Sequence, residues 1–233
     1  MDYSYIYNIE CGGQMEIRSH IKEGIILIDK PKGLSSYDVI RRLRREIGME
    51  KMGHSGTLDP LATGLMIVGV GIGTKKLSEL IKLPKTYEAE ILLGIRTTTC
   101  DMEGEVLDEK SPLELDLSEI APLLESMRGK IVLEVPVYSA VKVKGERLYE
   151  LARAGKRVNP PEKEMEILNT VFKKCFRSES YYILELVMEV TSGTYIRSIA
   201  EEIGRRLGLP ATLNNLRRTK IGNYKIENAL KLD

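Results

Sequence analysis

The sequence is poor in the residues that build metal centres and covalent cross-links. Its 233 residues include two histidines, His20 and His54, and three cysteines, Cys11, Cys100 and Cys175. The cysteines are odd in number, far apart, and form no C-x-x-C pair. That argues against a disulfide framework or a zinc site and points to a reducing cytoplasm. Two histidines are too few for a histidine-rich metal centre, so no metal is expected. No apolar run approaches the roughly 20 residues that span a bilayer, so no membrane partner is expected. The opening stretch, MDYSYIYNIECGGQ, has two acids and no basic cluster ahead of an apolar block, unlike a secretory signal. There is no Walker A loop, no dinucleotide fingerprint and no solenoid repeat.

Charge of either sign is not in excess. The 35 Lys and Arg nearly balance the 34 Asp and Glu, for a net charge of +1. The basic residues nonetheless cluster: Arg41, Arg42, Arg44 and Arg45 with Lys51, then Arg197, Arg205 and Arg206, then Arg217, Arg218 and Lys220. Each cluster is either a phosphate-binding face or a solvated helix face, and charge alone does not choose. With 42% hydrophobic and 30% charged residues, the composition is that of an ordinary globular chain.

Residues 1–23 have weak periodicity and a Gly12-Gly13 break, and read as an extension. From Gly24 the pattern strengthens, and no long linker divides residues 24–233, which are taken as one domain. GIILIDK is a strand stopped by Pro31. Ser36 is expected to cap a helix over 37–47, whose stripe is Val39, Ile40, Leu43 and Ile47. Residues 53–64 form a loop, and LMIVGVG a buried strand. Further helices are expected over 74–82, 116–128, 147–154 and 194–208. Strands are expected over 86–95, around Pro136, and as a pair flanking RSESY. Residues 97–113 read as a polar loop, and TLNNLRRTKIGNY as a short helix or turn with a last strand. Strands dominate without strict β-α-β order. The expected class is therefore α+β, with a mixed, largely antiparallel sheet and flanking helices.

The loop GHSGTLDPLATG holds one carboxylate, Asp59, among three glycines and beside Pro60. Glycine permits positive φ and close approach, and proline holds the preceding residue extended. A carboxylate fixed this way suits a nucleophile or general base. Asp before Pro is also the ordinary way to close a turn, and the residue types alone leave both open.

GHSGTLDPLATGLM resembles the catalytic signature of the TruB family of pseudouridine synthases. Four further blocks match in order: GIILIDKPKGLSS (24–36), KTYEAEILLGIRTTTCDMEG (85–104), VPVYSAVKVKGERLYELARAGKRV (135–158), and GTYIRSIAEEIGRRLG with LRRTKIG (193–222). The resemblance implies a pseudouridine-synthase fold, with an inserted element clasping the T arm of tRNA. It implies Asp59 as nucleophile, Tyr87 as the ring that stacks on the target base, and Arg197 as the arginine that pairs with the aspartate. His54 matches a histidine of base flipping, and Lys30 with Pro31 a pair supporting the catalytic loop. Tyr195, Arg41, Arg45 and Lys142 join the candidate substrate contacts. The implied reaction is conversion of the T-loop uridine at position 55 to pseudouridine, without cofactor, by a cytoplasmic monomer. Two departures stand out. Thr98 occupies the place of the family's aspartate in RTTTCD, with Asp101 following as its possible replacement in contacting RNA. The carboxy-terminal RNA-binding domain of many bacterial relatives is not evident before Asp233. The alternatives are a guide-RNA-dependent synthase of the dyskerin type and a non-catalytic RNA-binding or RNA-folding module.

Overall fold

A computed structural model describes residues 23–111 and 114–232. The extension, with Cys11 and His20, lies outside the described residues. The strands are β1 (Gly24–Lys30), β2 (Met52–His54), β3 (Thr63–Val70), β4 (Lys85–Leu93), β5 (Ile95–Thr97), β6 (Val106–Glu109), β7 (Gly129–Glu134), β8 (Lys142–Val143), β9 (Glu146–Arg147), β10 (Glu162–Ser178), β11 (Tyr181–Val190), β12 (Ala211–Ile221), β13 (Tyr224–Lys225) and β14 (Leu230–Lys231). The helices are α1 (Ser36–Ile47), α2 (Leu77–Leu80), α3 (Ile120–Ser126), α4 (Leu148–Arg153) and α5 (Ile196–Arg206). This is an α+β fold with a mixed, mostly antiparallel sheet. The described residues group into two compact units, one running to Tyr87 and resuming at Arg217, the other being Glu88–Leu216.

In the first unit the strand order is β14-β1-β3-β12, with β2 beside β3 and β13 beside β12. β1 and β3 are antiparallel, Gly24 opposite Val70 through Lys30 opposite Gly64. β3 and β12 are parallel, Gly64 opposite Arg218. Both faces of β1 are covered. Ile26 and Ile28 pack with Val39, Ile40 and Leu43 of α1, and Ile25 and Leu27 pack with Leu65, Ile67 and Leu80. That is why GIILIDK reads as a continuous apolar run rather than an alternation. Burying each of Val39, Ile40 and Leu43 contributes about 1.5–3 kcal/mol. The cap of α1 is Ser35, not Ser36: Ser35 and Asp38 form a capping box, with both hydrogen bonds at 3.1 Å. Asp three residues after Ser35 selects that serine, and Ser36 is released for another task. Gly48 ends the helix at φ 73°.

In the second unit the order is β12-β4-β11-β10-β7. β11 alternates, with Leu184, Leu186, Met188 and Val190 inward. α5 lays Ile196, Ile199, Ala200 and Ile203 into the interior. Three expectations are corrected. The helix over 74–82 is a 3-10 turn, Gly71–Lys76, followed by the four-residue α2. The polar loop over 97–113 contains the strand β6, which pairs with β5 just ahead of it. ATLNNLRRTKI is the eleven-residue strand β12, so the stretch expected to open as a short helix or turn before a last strand is strand throughout. Arg218, an inward position of β12, is charged and so hides the strand's alternation.

Candidate active-site loop and its scaffold

Residues 55–62 connect two antiparallel neighbours, β2 and β3. The Ser55 amide donates to the Ile67 carbonyl at 3.0 Å and extends the ladder into the loop. Leu58, Leu61 and Ala62 are buried, and half-buried Asp59 sits between Leu58 and Leu61. The Ala62 amide donates to the Asp59 carbonyl at 3.1 Å. Asp59-Pro60-Leu61-Ala62 is thus a β-turn with Asp first and Pro second, positions those residues favour. The turn-closing role of Asp59 is therefore real and is carried by its backbone.

Three buried polar side chains brace the loop. The Ser36 hydroxyl accepts from the Leu58 amide at 2.8 Å and donates to the Leu58 carbonyl at 3.1 Å. Lys30 is fully buried. Its Nζ donates to the carbonyls of Leu34 at 2.6 Å, Pro31 at 3.0 Å and Pro60 at 3.4 Å. An ammonium enclosed this way does not meet a phosphate in this conformation; it ties the β1 turn to the residue after Asp59. The Gly33 amide joins the same Pro60 carbonyl at 2.8 Å. Arg218, 1% exposed, sends Nε to the Leu65 carbonyl at 2.7 Å and its Nη atoms to the carbonyls of Gly56 at 3.2 Å and Thr57 at 3.5 Å.

His54, half-buried, ends β2. Its Nδ1 is buried and has no hydrogen-bond partner among the described residues. Burial, then the charge of Arg218, lowers its pKa from the usual histidine value. Both effects favour the neutral form of the ring. Tyr87, 8% exposed, lies in β4, two residues from Lys85. Lys85 is buried and donates to the Ile81 carbonyl. Arg41 and Arg45 are exposed on α1; Arg41 pairs with Asp38 at 2.9 Å.

In the second unit Arg197 lies in the first turn of α5, 5% exposed. Nη1 donates to the Thr99 carbonyl at 2.9 Å and Nη2 to the Tyr138 carbonyl at 3.0 Å, and Asp101 lies 3.8 Å away. Asp101, 3% exposed, accepts from the Thr99 hydroxyl at 2.5 Å and the Glu103 amide at 3.1 Å. It closes the RTTTCD turn, and its carboxylate is enclosed there rather than presented to solvent. Tyr195 precedes α5, and the Lys163 ammonium lies 5.5 Å from its ring centroid. Lys142 is exposed at the base of the β8–β9 hairpin, opposite Arg147. The hairpin turn puts both Lys144 and Gly145 at positive φ. Among the described residues no three His, Cys, Asp or Glu side chains converge as metal ligands, and no helix is long and apolar enough to cross a membrane.

The basic cluster Arg217, Arg218 and Lys220 is not one face. Arg217 pairs with Asp29 through two bonds, at 2.7 and 3.1 Å, while Arg218 points inward. Ser36 and Arg218 have structural consequences for the loop that residue type alone did not show. The only prior signal was their place in the KGLSS and LRRTKIG blocks.

A family profile described as TruB family pseudouridylate synthase (N terminal domain) matches residues 44–196. The chain is 36% identical to tRNA pseudouridine synthase B of Corynebacterium diphtheriae, covering 90% of this chain and 71% of that one. It is 40% identical to the protein of the same name from Thermobifida fusca, covering 91% and 73%. Among solved structures it is similar to a chain in the crystal structure of a Cbf5-Nop10-Gar1 complex, with TM-score 0.67, 26% identity and 91% of this chain covered. The chain spans about half of that larger one, 53% of its length.

Proposed function

The chain belongs to the TruB family of pseudouridylate synthases, and on that premise we propose that it isomerises uridine to pseudouridine in the T-loop of tRNA, at position 55, with Asp59 as the reacting carboxylate. The observation that carries the role of Asp59 is the bracing of its loop: Ser36, Lys30 and Arg218 immobilise the residues on both sides of it. A carboxylate preorganised in this way loses little freedom when it meets a reacting carbon.

The reaction breaks the N1–C1′ bond, turns the uracil within the site and joins C5 to C1′, with a proton leaving C5 and one taken up at N1. Atoms and electrons balance without a redox partner. The target base must leave its stack. Tyr87 supplies a flat ring for it, and such stacking contributes roughly 1–3 kcal/mol per base. The Arg197 guanidinium is held in one orientation by the Thr99 and Tyr138 carbonyls, which suits the charge-directing role the family resemblance gives it. Lys142 and Arg147 stand opposite each other on an exposed hairpin. Facing like charges repel, and a phosphate between them would relieve that; with Arg41 and Arg45 they fix register without reading sequence. Residues 24–233 constitute the catalytic region in this reading, acting as a monomer in the cytoplasm.

Tritium release from tRNA labelled at uridine C5 tests the proposal. The wild type should release tritium from an unmodified transcript with nothing added, and should not from a transcript with an altered T-loop. Asp59→Asn should bind tRNA within about threefold of wild type and show no turnover. Turnover by Asp59→Asn at the wild-type rate contradicts the mechanism, and turnover only with an added guide RNA replaces the substrate assignment.

A further inference from the structure

The loop has two limbs, and they are held by different cations. The limb after Asp59 is tied by Lys30, which the family resemblance already marks as a support. The limb before it, Gly56-Thr57, is tied by Arg218, which sits far away in sequence on β12 where that strand pairs in parallel with β3.

Three features make this attachment specific. The first is geometry. The guanidinium is a rigid planar fork, and its three nitrogens reach three carbonyls on two segments: Leu65 in β3, and Gly56 and Thr57 in the loop. An ammonium presents its donors from one nitrogen, whereas the guanidinium presents them from three. The second is access. Gly64 sits at φ 103°, and a Cβ there would lie 2.3 Å from the Arg218 carbonyl oxygen and 2.7 Å from its amide nitrogen. The last glycine of GHSGTLDPLATG thus lets the Arg218 backbone approach β3. The third is burial. A cation that is 1% exposed is expensive to desolvate unless its donors are met, and here they are met by the loop backbone rather than by a carboxylate. Removing the guanidinium therefore releases carbonyls two and three residues before Asp59.

We propose that Arg218 is a positioning residue for the Asp59 carboxylate, acting by clamping the Gly56-Thr57 limb against β3. It touches no substrate in this role, and the inference rests on the function assigned to Asp59 above. A residue that merely fills the interior would change melting temperature and leave the rate per folded molecule untouched. A positioning residue changes the chemical step and leaves RNA affinity alone.

The experiment compares wild type, Asp59→Asn, Arg218→Gln and Arg218→Lys by single-turnover tritium release and by tRNA binding, each below its own melting temperature. Arg218→Gln should slow the single-turnover rate on the order of 100-fold, the loss typical of an ångström-scale misplacement, with Kd for tRNA within about threefold. Arg218→Lys keeps the charge and part of the bonding, and should recover some but not all of that rate. Should Arg218→Gln fail to fold, Arg218→Lys decides: a loss of about tenfold or more at unchanged Kd sustains the inference, and a wild-type rate overturns it. A loss confined to Kd also overturns it, because Arg218 would then be serving RNA binding. An active wild type, an inactive Asp59→Asn and unimpaired Arg218 variants refute the inference alone. A wild type that releases no tritium refutes the functional reading and takes the inference with it.

Discussion

Replacing Ser36 with alanine removes one hydroxyl that serves both polar groups of a single peptide residue. The Leu58 amide and carbonyl lie 2.8 and 3.1 Å from Ser36 Oγ. Ser36 is 2% exposed and Leu58 3%. Water does not reach the gap readily, so both groups lose their partner on truncation. An unmet buried polar group costs about 1–3 kcal/mol, and alanine returns a few tenths through its better helix propensity at the first residue of α1. The expected net loss is about 2–5.5 kcal/mol, a large part of the roughly 5–15 kcal/mol typical of a folded domain. Urea titration of wild type and Ser36→Ala measures it directly, with the midpoint moving and the slope unchanged. A loss below about 1 kcal/mol would refute the reasoning, because it would mean that water or a small backbone shift satisfies Leu58.

Gly64→Ala should lower stability by about 3 kcal/mol or more, since the new Cβ meets the Arg218 backbone and the residue must hold a positive φ; an unchanged Tm contradicts this. Lys85 tests the electrostatics of the same interior. Burial, then the charge of Arg218, pushes its pKa down to about 8, against about 10.4 in an unfolded chain. Between those values the unfolded chain holds more protons, so this group's contribution to stability rises with pH across that window and is flat and unfavourable below it. Lys85→Met lacks the effect. The stability difference between wild type and variant should therefore shift in favour of wild type from about pH 7 to about pH 9.5 in urea titrations, and a pH-independent difference would contradict it.

How much of this was legible beforehand depended on the kind of residue. Apolar spacing located β1, α1, β3, β11 and α5 because burial imposes a period on the chain, and the glycines with Pro60 located the loop because few other residues adopt its backbone. The Ser35 cap was misplaced by one residue because two serines stand together, and the choice between them lies with Asp38. β12 was misread because its inward positions include Arg218. A buried cation is stable only when distant carbonyls come to meet it, and nothing local to LRRTKIG announces that. The same holds for the outward cluster assumed for Arg217, Arg218 and Lys220, of which one member pairs with Asp29 and another turns inside.

The sequence by itself determined the family, the α+β class and the identity of the one carboxylate placed on a glycine-bordered turn. These are local or patterned properties, set by backbone preferences and by periodic burial. Only the tertiary structure decided what holds that turn still. Its braces come from positions 30, 36 and 218, brought together by strand pairing, and side chains so far apart along the chain acquire a common purpose only when their hydrogen bonds must be completed in the same water-poor space.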